Sequence, residues 1–298
     1  MSVRRTLAAI VLVLCFAIGA AAAEEVKIKH GGLTLNARLT MADGKALKDG
    51  VVLMVHGTLA HNAMDTIQNL TDVLAERGLN TLAINLSLGI DDRHGMYDCA
   101  VAHRHKHLDA LDEIGAWMGW LDSKGAGPVV LFGHSRGGNQ AARFAAEVGH
   151  GLLKRLVLMA PATGGGDGGF EKRHGFPLAG VLAKAEAMVK AGRGAEIMAK
   201  AGLLYCPGVD VTAASFVAYY RPDPRRDTSV VLKKIKVPVL VIAGGKDTVV
   251  PDVAEKVKPQ ADGKRLRLAT VDDADHFFLD LYAEDVADLM EEFLSAGS

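Results

Sequence analysis

The sequence predicts an α/β protein whose mostly parallel sheet is covered by helices on both faces. Three observations carry the prediction. Short, continuously apolar runs recur along the chain, as expected of strands buried on both sides. Segments with apolar residues at helical spacing lie between them. Glycine or polar punctuation separates one kind of segment from the next. Such alternation is what parallel strands joined by crossover helices require.

The elements follow in order. Residues 26–30 and 33–39 alternate apolar and polar positions on either side of Gly31-Gly32, which predicts an antiparallel hairpin. The run VVLMV at 51–55 reads as a buried strand, and 63–77 as a helix carried by Met64, Ile67, Leu70, Val73 and Leu74 and stopped at Gly78. Residues 81–86 form the next strand and 107–121 the next helix, with Leu108, Leu111, Ile114 and Met118 on one side. VVLF at 129–132, a helix at 139–148 and LVLM at 156–159 continue the rhythm. Strands at 237–243 and 265–269 and a helix at 279–294 close the chain. The interval 164–233 breaks the pattern. It opens on a glycine-rich stretch, runs through Ala-rich segments predicted helical at 183–190 and 195–201, and ends at Pro222-Asp223-Pro224. Too long for a simple loop, it reads as an inserted helical lid between two parts of a core, 24–163 and 234–298.

Composition narrows the function. With 34 Lys+Arg against 35 Asp+Glu, the chain lacks the basic excess of a nucleic-acid-binding protein. With 49% hydrophobic and 23% charged residues, it has the material for a packed core and is not a disordered chain. Aromatic residues make up only 5%, so that core is built from small aliphatic side chains. The first 23 residues read as an address. Arg4 and Arg5 precede an apolar stretch that ends in Ala21-Ala22-Ala23, the pattern of a cleaved secretory signal. The expectation is an exported protein, periplasmic or secreted, with no stable membrane insertion after cleavage. Cys99 and Cys206 remain in the mature chain, and an oxidising compartment leaves two options for them: a disulfide or two separately buried thiols.

The motif that carries chemistry is Gly133-His134-Ser135-Arg136-Gly137, directly after a predicted strand and before a helix. A G-x-S-x-G in that setting puts Ser135 on a tight turn with its hydroxyl projecting from the sheet edge. The small residues on either side let neighbouring backbone approach. The following helix directs its N-terminal N–H groups, and a favourable field for negative charge, at the same place.

On these residues the chain resembles the α/β-hydrolase family over about 26–298, the inserted interval matching least. The resemblance implies a nucleophile–acid–histidine order. Asp247 follows the strand at 237–243 in a G-x-x-D-x-x-x-P loop that looks like the family's acid loop, and His276 lies between the last strand and the last helix. Ser135, Asp247 and His276 are the expected catalytic residues. Asp272, Asp273 and Asp275 are poorer acids because they share the loop of His276. The resemblance also implies an oxyanion hole from the backbone N–H of Arg136 and of Thr58, with Leu59 the second choice in the loop His56-Gly57-Thr58-Leu59. His56 is expected to organise that loop rather than react.

His103-Arg104-His105-Lys106-His107 invites a metal site, but no Cys or carboxylate completes one in sequence, and a solvated helix start is the preferred reading. No phosphate loop or dinucleotide fingerprint is present, so no metal or organic cofactor is expected. The implied activity is hydrolysis of a small-molecule carboxylic ester through an acyl-enzyme. A peptidase, amidase or acyltransferase uses the same triad, and a catalytically silent binding protein shares the fold. In the inserted interval, Phe216, Tyr219 and Tyr220 are candidates for lining an acyl pocket, with plain packing as the alternative.

Overall fold

The structure is a computed structural model that describes residues 23–164 and 169–296. The predicted signal, Ala23 apart, and the middle of the glycine-rich stretch lie outside the described residues. The chain opens with the hairpin β1 (Glu24–His30) and β2 (Leu33–Thr40). It continues through β3 (Val51–Val55), α1 (Asp65–Glu76), β4 (Thr81–Asn85), α2 (Asp109–Ser123), β5 (Val129–His134), α3 (Arg136–Glu147) and β6 (Leu153–Met159). The inserted interval holds α4 (Phe170–His174), α5 (Leu178–Lys190), the two-residue strands β7 (Ile197–Met198) and β8 (Val211–Thr212), α6 (Ala213–Tyr220) and α7 (Thr228–Val231). The chain then runs through β9 (Val239–Gly244), α8 (Val253–Val257), β10 (Leu266–Val271) and α9 (Leu281–Ser295).

Eight strands form one sheet in the order β1-β2-β4-β3-β5-β6-β9-β10. The pairs β1–β2 and β2–β4 are antiparallel, and every pair from β4 to β10 is parallel. The apolar runs explain the centre: β3 and β4 are buried at every position. The order of strands reverses at β3, since β4 lies on one side of it and β5 on the other. With right-handed crossovers, α1 falls on one face and α2 and α3 on the opposite one. Accordingly α2 packs beside α3, while α9 returns to pack beside α1. A switch point of this kind opens a crevice at the carboxyl ends of the strands, and the candidate residues collect there.

The main core joins both faces of this sheet around Leu53, Met54, Trp117, Phe132 and Phe144. The inserted interval has a second core, with Phe170, Leu203, Val211 and Phe216 at its centre. Its last residues return to the main core, where Val231 and Leu232 pack. Residues 195–201 are not helical as predicted. Ile197 and Met198 pair with Val211 and Thr212, and Lys200 takes a positive φ of 54°, so pairing overrides alanine's helix preference. Cys99 and Cys206 are joined in a disulfide, Cα atoms 5.3 Å apart, fastening the segment after β4 to the insert.

Candidate active site

Ser135 sits between the last residue of β5 and the first of α3 with φ 56° and ψ −122°. L-residues rarely adopt this conformation, so the surrounding structure must impose it. Its N–H donates to the Met159 carbonyl at 3.0 Å, and its carbonyl accepts from the Ala162 N–H at 2.9 Å. The flanking glycines make room: a Cβ on Gly133 would stand 2.5 Å from the Gly137 carbonyl oxygen, and one on Gly137 2.3 Å from that of His56. The helix therefore begins at Arg136, earlier than its apolar spacing suggests.

Loops after β9 and β10 bring the other two members to the same edge. His276 Nε2 lies 2.9 Å from Ser135 Oγ, and His276 Nδ1 lies 2.8 Å from Asp247 Oδ2. All three residues are buried. Asp247 Oδ1 accepts the N–H groups of Val249 at 2.7 Å and Val250 at 2.9 Å. Burial pushes the Asp247 carboxyl up, but the His276 hydrogen bond and these two donors outweigh it and hold it below the usual range. Asp272, Asp273 and Asp275 are exposed. Asp273 pairs with Lys246 at 2.7 Å, and Asp275 accepts the Phe277 N–H at 2.8 Å. The structure thus brings Ser135, His276 and Asp247 together in one hydrogen-bonded series and leaves Asp272, Asp273 and Asp275 outside it.

His134, in the x position of the motif, went unassigned in the sequence. It is buried, its Nε2–H donates to the His276 carbonyl at 2.8 Å, and it steadies the loop that presents the imidazole. Burial, followed by the neighbouring His276, lowers its pKa to about 4.

The loop after β3 lies against Ser135: a Cβ on Gly57 would be 3.3 Å from Ser135 Cβ. Buried His56 organises it, as expected. His56 Nδ1–H donates to the Gly57 carbonyl at 2.9 Å, and Nε2 accepts the Leu86 N–H at 3.1 Å. Burial, then the nearby Arg93 charge, drops its pKa to about 3, so it stays neutral and keeps this tautomer. Arg93, which carries no sequence signal, ties the loop together by donating to Leu86 O (2.8 Å), Ala60 O (2.8 Å) and Asn85 Oδ1 (2.7 Å). Leu59 takes a positive φ of 53°. Tyr205 Oη, from the insert, donates to the Thr58 carbonyl at 3.1 Å. Among the described residues, the N–H groups of Thr58, Leu59 and Arg136 have no protein acceptor. These are the donors the sequence assigns to an oxyanion.

His103, His105 and His107 do not start a solvated helix. They are buried in an extended segment, with exposed Arg104 and Lys106 between them, and α2 begins only at Asp109. His103 Nδ1 meets His105 Nε2 at 2.9 Å, His105 Nδ1 meets Tyr219 Oη at 2.8 Å, and His107 Nε2 meets Asn139 Oδ1 at 3.0 Å. Burial lowers the pKa of His103 to about 4 and of the other two to about 3. The period-two spacing of these histidines was the available signal. Of the candidate pocket residues, Phe216 is packed in the insert's core, while Tyr219 and Tyr220 also line a cavity.

A sheet order with a switch point, a strained serine at a strand-to-helix elbow and a buried histidine–aspartate pair define a hydrolase-type α/β architecture. The model of the alpha/beta hydrolase family matches residues 52–289, and the chain belongs to that family. No curated protein matches the sequence. Among solved structures it is similar to Est1E from Butyrivibrio proteoclasticus, with 19% identity, a TM-score of 0.61, and coverage of 91% of this chain and 97% of that one. It is also similar to a Pyrococcus furiosus esterase, with 18% identity, a TM-score of 0.61, and coverage of 96% of both chains. A monoacylglycerol lipase of Paleococcus ferrophilus aligns at 18% identity with a TM-score of 0.60, covering 89% of this chain and 99% of its own.

Proposed function

We propose that this chain is an exported serine hydrolase that cleaves a carboxylic ester of a small molecule through an acyl-enzyme on Ser135. The hydrogen-bonded series Ser135 Oγ, His276 Nε2, His276 Nδ1, Asp247 Oδ2 carries this reading. Ser135 Oγ attacks the ester carbonyl while its proton passes to His276 Nε2. Asp247 fixes the tautomer and stabilises the imidazolium. Negative charge gathering on the carbonyl oxygen is met by the N–H groups of Arg136 and Thr58. When the C–O bond breaks, the leaving alkoxide takes the proton from His276. Water, deprotonated by the same imidazole, then releases the acid and restores the hydroxyl.

The esterase and the monoacylglycerol lipase among the structural relatives support an ester over an amide. The leader-like first 23 residues support export, and the Cys99–Cys206 bridge is consistent with an oxidising compartment. The insert over the site reads as a lid that excludes water. The deciding experiment treats purified protein with a fluorophosphonate probe beside a panel of nitrophenyl esters, aminoacyl anilides and acyl acceptors. Labelling of wild type and its loss in Ser135→Ala, with ester turnover dominant, is the expected result. Equal labelling of Ser135→Ala ends the nucleophile assignment. Anilide cleavage or acyl transfer exceeding ester hydrolysis replaces the esterase by a peptidase or acyltransferase. N-terminal sequencing of the secreted product is expected to begin at Glu24.

A further inference from the structure

Beside the nucleophile lies a cavity of about 480 Å³ lined by Arg136, His107, Asn139, Tyr219, Arg226 and Lys256, among others. Ala162, which anchors the Ser135 carbonyl, also lines it, so the cavity adjoins the elbow. Among the described residues, three cations and two acids share its wall. The acids are already engaged. Asp227 pairs with Lys256 at 2.8 Å and accepts the Ser229 N–H at 2.9 Å and hydroxyl at 2.7 Å. Asp223 pairs with Arg225 at 2.9 Å and Arg143 at 3.3 Å.

Arg136 is different. Its Nε donates to Thr58 Oγ1 at 3.0 Å, and its guanidinium lies 5.5 Å from the centre of the Tyr219 ring. Among the described residues, no carboxylate lies within ion-pair distance of it, and neither terminal nitrogen makes a hydrogen bond. The side chain is half-buried at the cavity wall, and burial pushes its pKa down. A guanidinium remains charged nonetheless. A half-buried cation without an anion carries a desolvation cost that a ligand anion would offset, and its two terminal nitrogens form a fork that fits a carboxylate. The Nε bond to Thr58 and the Tyr219 ring fix the fork in place, so its ligand meets a preorganised donor pair.

We infer that the Arg136 side chain is a carboxylate-binding group, and that the natural substrate is an ester bearing a carboxylate that seats in this cavity beside Ser135. The inference rests on the hydrolase reading and adds the charge of the substrate to it. Tyr219 and Asn139 bound the same space, and the negative charge of the substrate meets the Arg136 guanidinium there.

Matched substrates test this. The nitrophenyl hemiester of glutaric acid and nitrophenyl valerate differ only in a terminal carboxylate against a methyl. On the alcohol side, 4-acetoxybenzoate and p-tolyl acetate differ in the same way. Wild type is expected to favour the anionic member of at least one pair by about tenfold or more in kcat/KM, the scale of one charge-assisted hydrogen bond. That ratio is expected to collapse toward unity in Arg136→Gln and to survive in part in Arg136→Lys. A second measurement needs no variant: glutarate is expected to inhibit neutral-ester hydrolysis competitively and more weakly as salt rises, while 1,5-pentanediol does not inhibit. Neutral preference in both pairs, an unchanged ratio in a folded Arg136→Gln, or equal inhibition by glutarate and the diol overturns the inference and leaves the hydrolase reading standing. If no ester is cleaved at all, calorimetry of glutarate on Ser135→Ala, with and without Arg136→Gln, decides the anion site separately. Binding lost with Arg136 supports it, and absence of binding sinks it.

Discussion

Lowering the pH from 7.5 to 5 is the perturbation that the buried histidines make most informative. His56, His103, His105, His107 and His134 are all nearly inaccessible to solvent. Burial holds the folded pKa of His56, His105 and His107 at about 3 and of His103 and His134 at about 4. In the unfolded chain each titrates near 6.5. A histidine whose folded pKa is depressed contributes stability that is fully present above the unfolded value and is lost as pH falls below it. Between these values the unfolded state binds more protons, at about 1.4 kcal/mol per pH unit per histidine. From pH 7.5 to 5 this comes to roughly 2 kcal/mol each. His103 and His105 share a hydrogen bond and do not count independently. Half the full sum, about 5 kcal/mol, still equals the entire stability of a modest domain. Glu113 and Asp109, both raised above the usual range by burial, work in the opposite direction, but two groups against five histidines offset only part of the loss. Urea unfolding followed by circular dichroism at pH 7.5, 6.5, 5.5 and 5 is expected to give a steeply falling stability. A curve flat to within about 1 kcal/mol over this range would refute the reasoning.

Three more outcomes follow from the site and its scaffold. Asp247→Asn turns an amide N–H toward His276 Nδ1, imposes the wrong tautomer and is expected to lower kcat by about 10³–10⁴-fold with little change in unfolding midpoint. Activity within tenfold of wild type removes Asp247 from the triad. Gly137→Ala drives a methyl into the His56 carbonyl, so ester turnover and thermal stability are expected to fall together, whereas Gly149→Ala at an open turn leaves turnover intact. The double variant Cys99→Ala/Cys206→Ala frees a loop spanning 107 positions and is expected to lose about 2–5 kcal/mol of stability, measured by denaturant titration without reductant.

The parts of this molecule that were legible in its sequence are those written in local order. VVLMV is a strand at its expected bounds because a run apolar at every position has no solvent face to offer. The convergence of Ser135, Asp247 and His276 is legible because each follows a strand in a fixed chain order. What escaped was long-range. Arg93 sits on a loop with no periodicity, and its partners Ala60, Asn85 and Leu86 come from two other stretches of chain. His134 was passed over as the variable position of a motif, because its partner lies 142 residues away. Residues 195–201 looked helical by composition, yet a two-residue ladder and positive-φ turns decided their path. The alternation of His103, His105 and His107 with two charged residues is a strand-like pattern that a helix reading overrode.

Tyr205, whose hydroxyl reaches the Thr58 carbonyl, is the neighbour of Cys206. The insert is therefore riveted, at this point, to the loop after β3 whose Thr58 and Leu59 N–H groups have no protein acceptor among the described residues. Leu204, beside Tyr205, lines the Arg136 cavity, so the bridge and this hydroxyl hold the insert at the cavity's own wall. A chain still in its thiol form would carry the same Ser135, His276 and Asp247 under an insert with its rivet drawn.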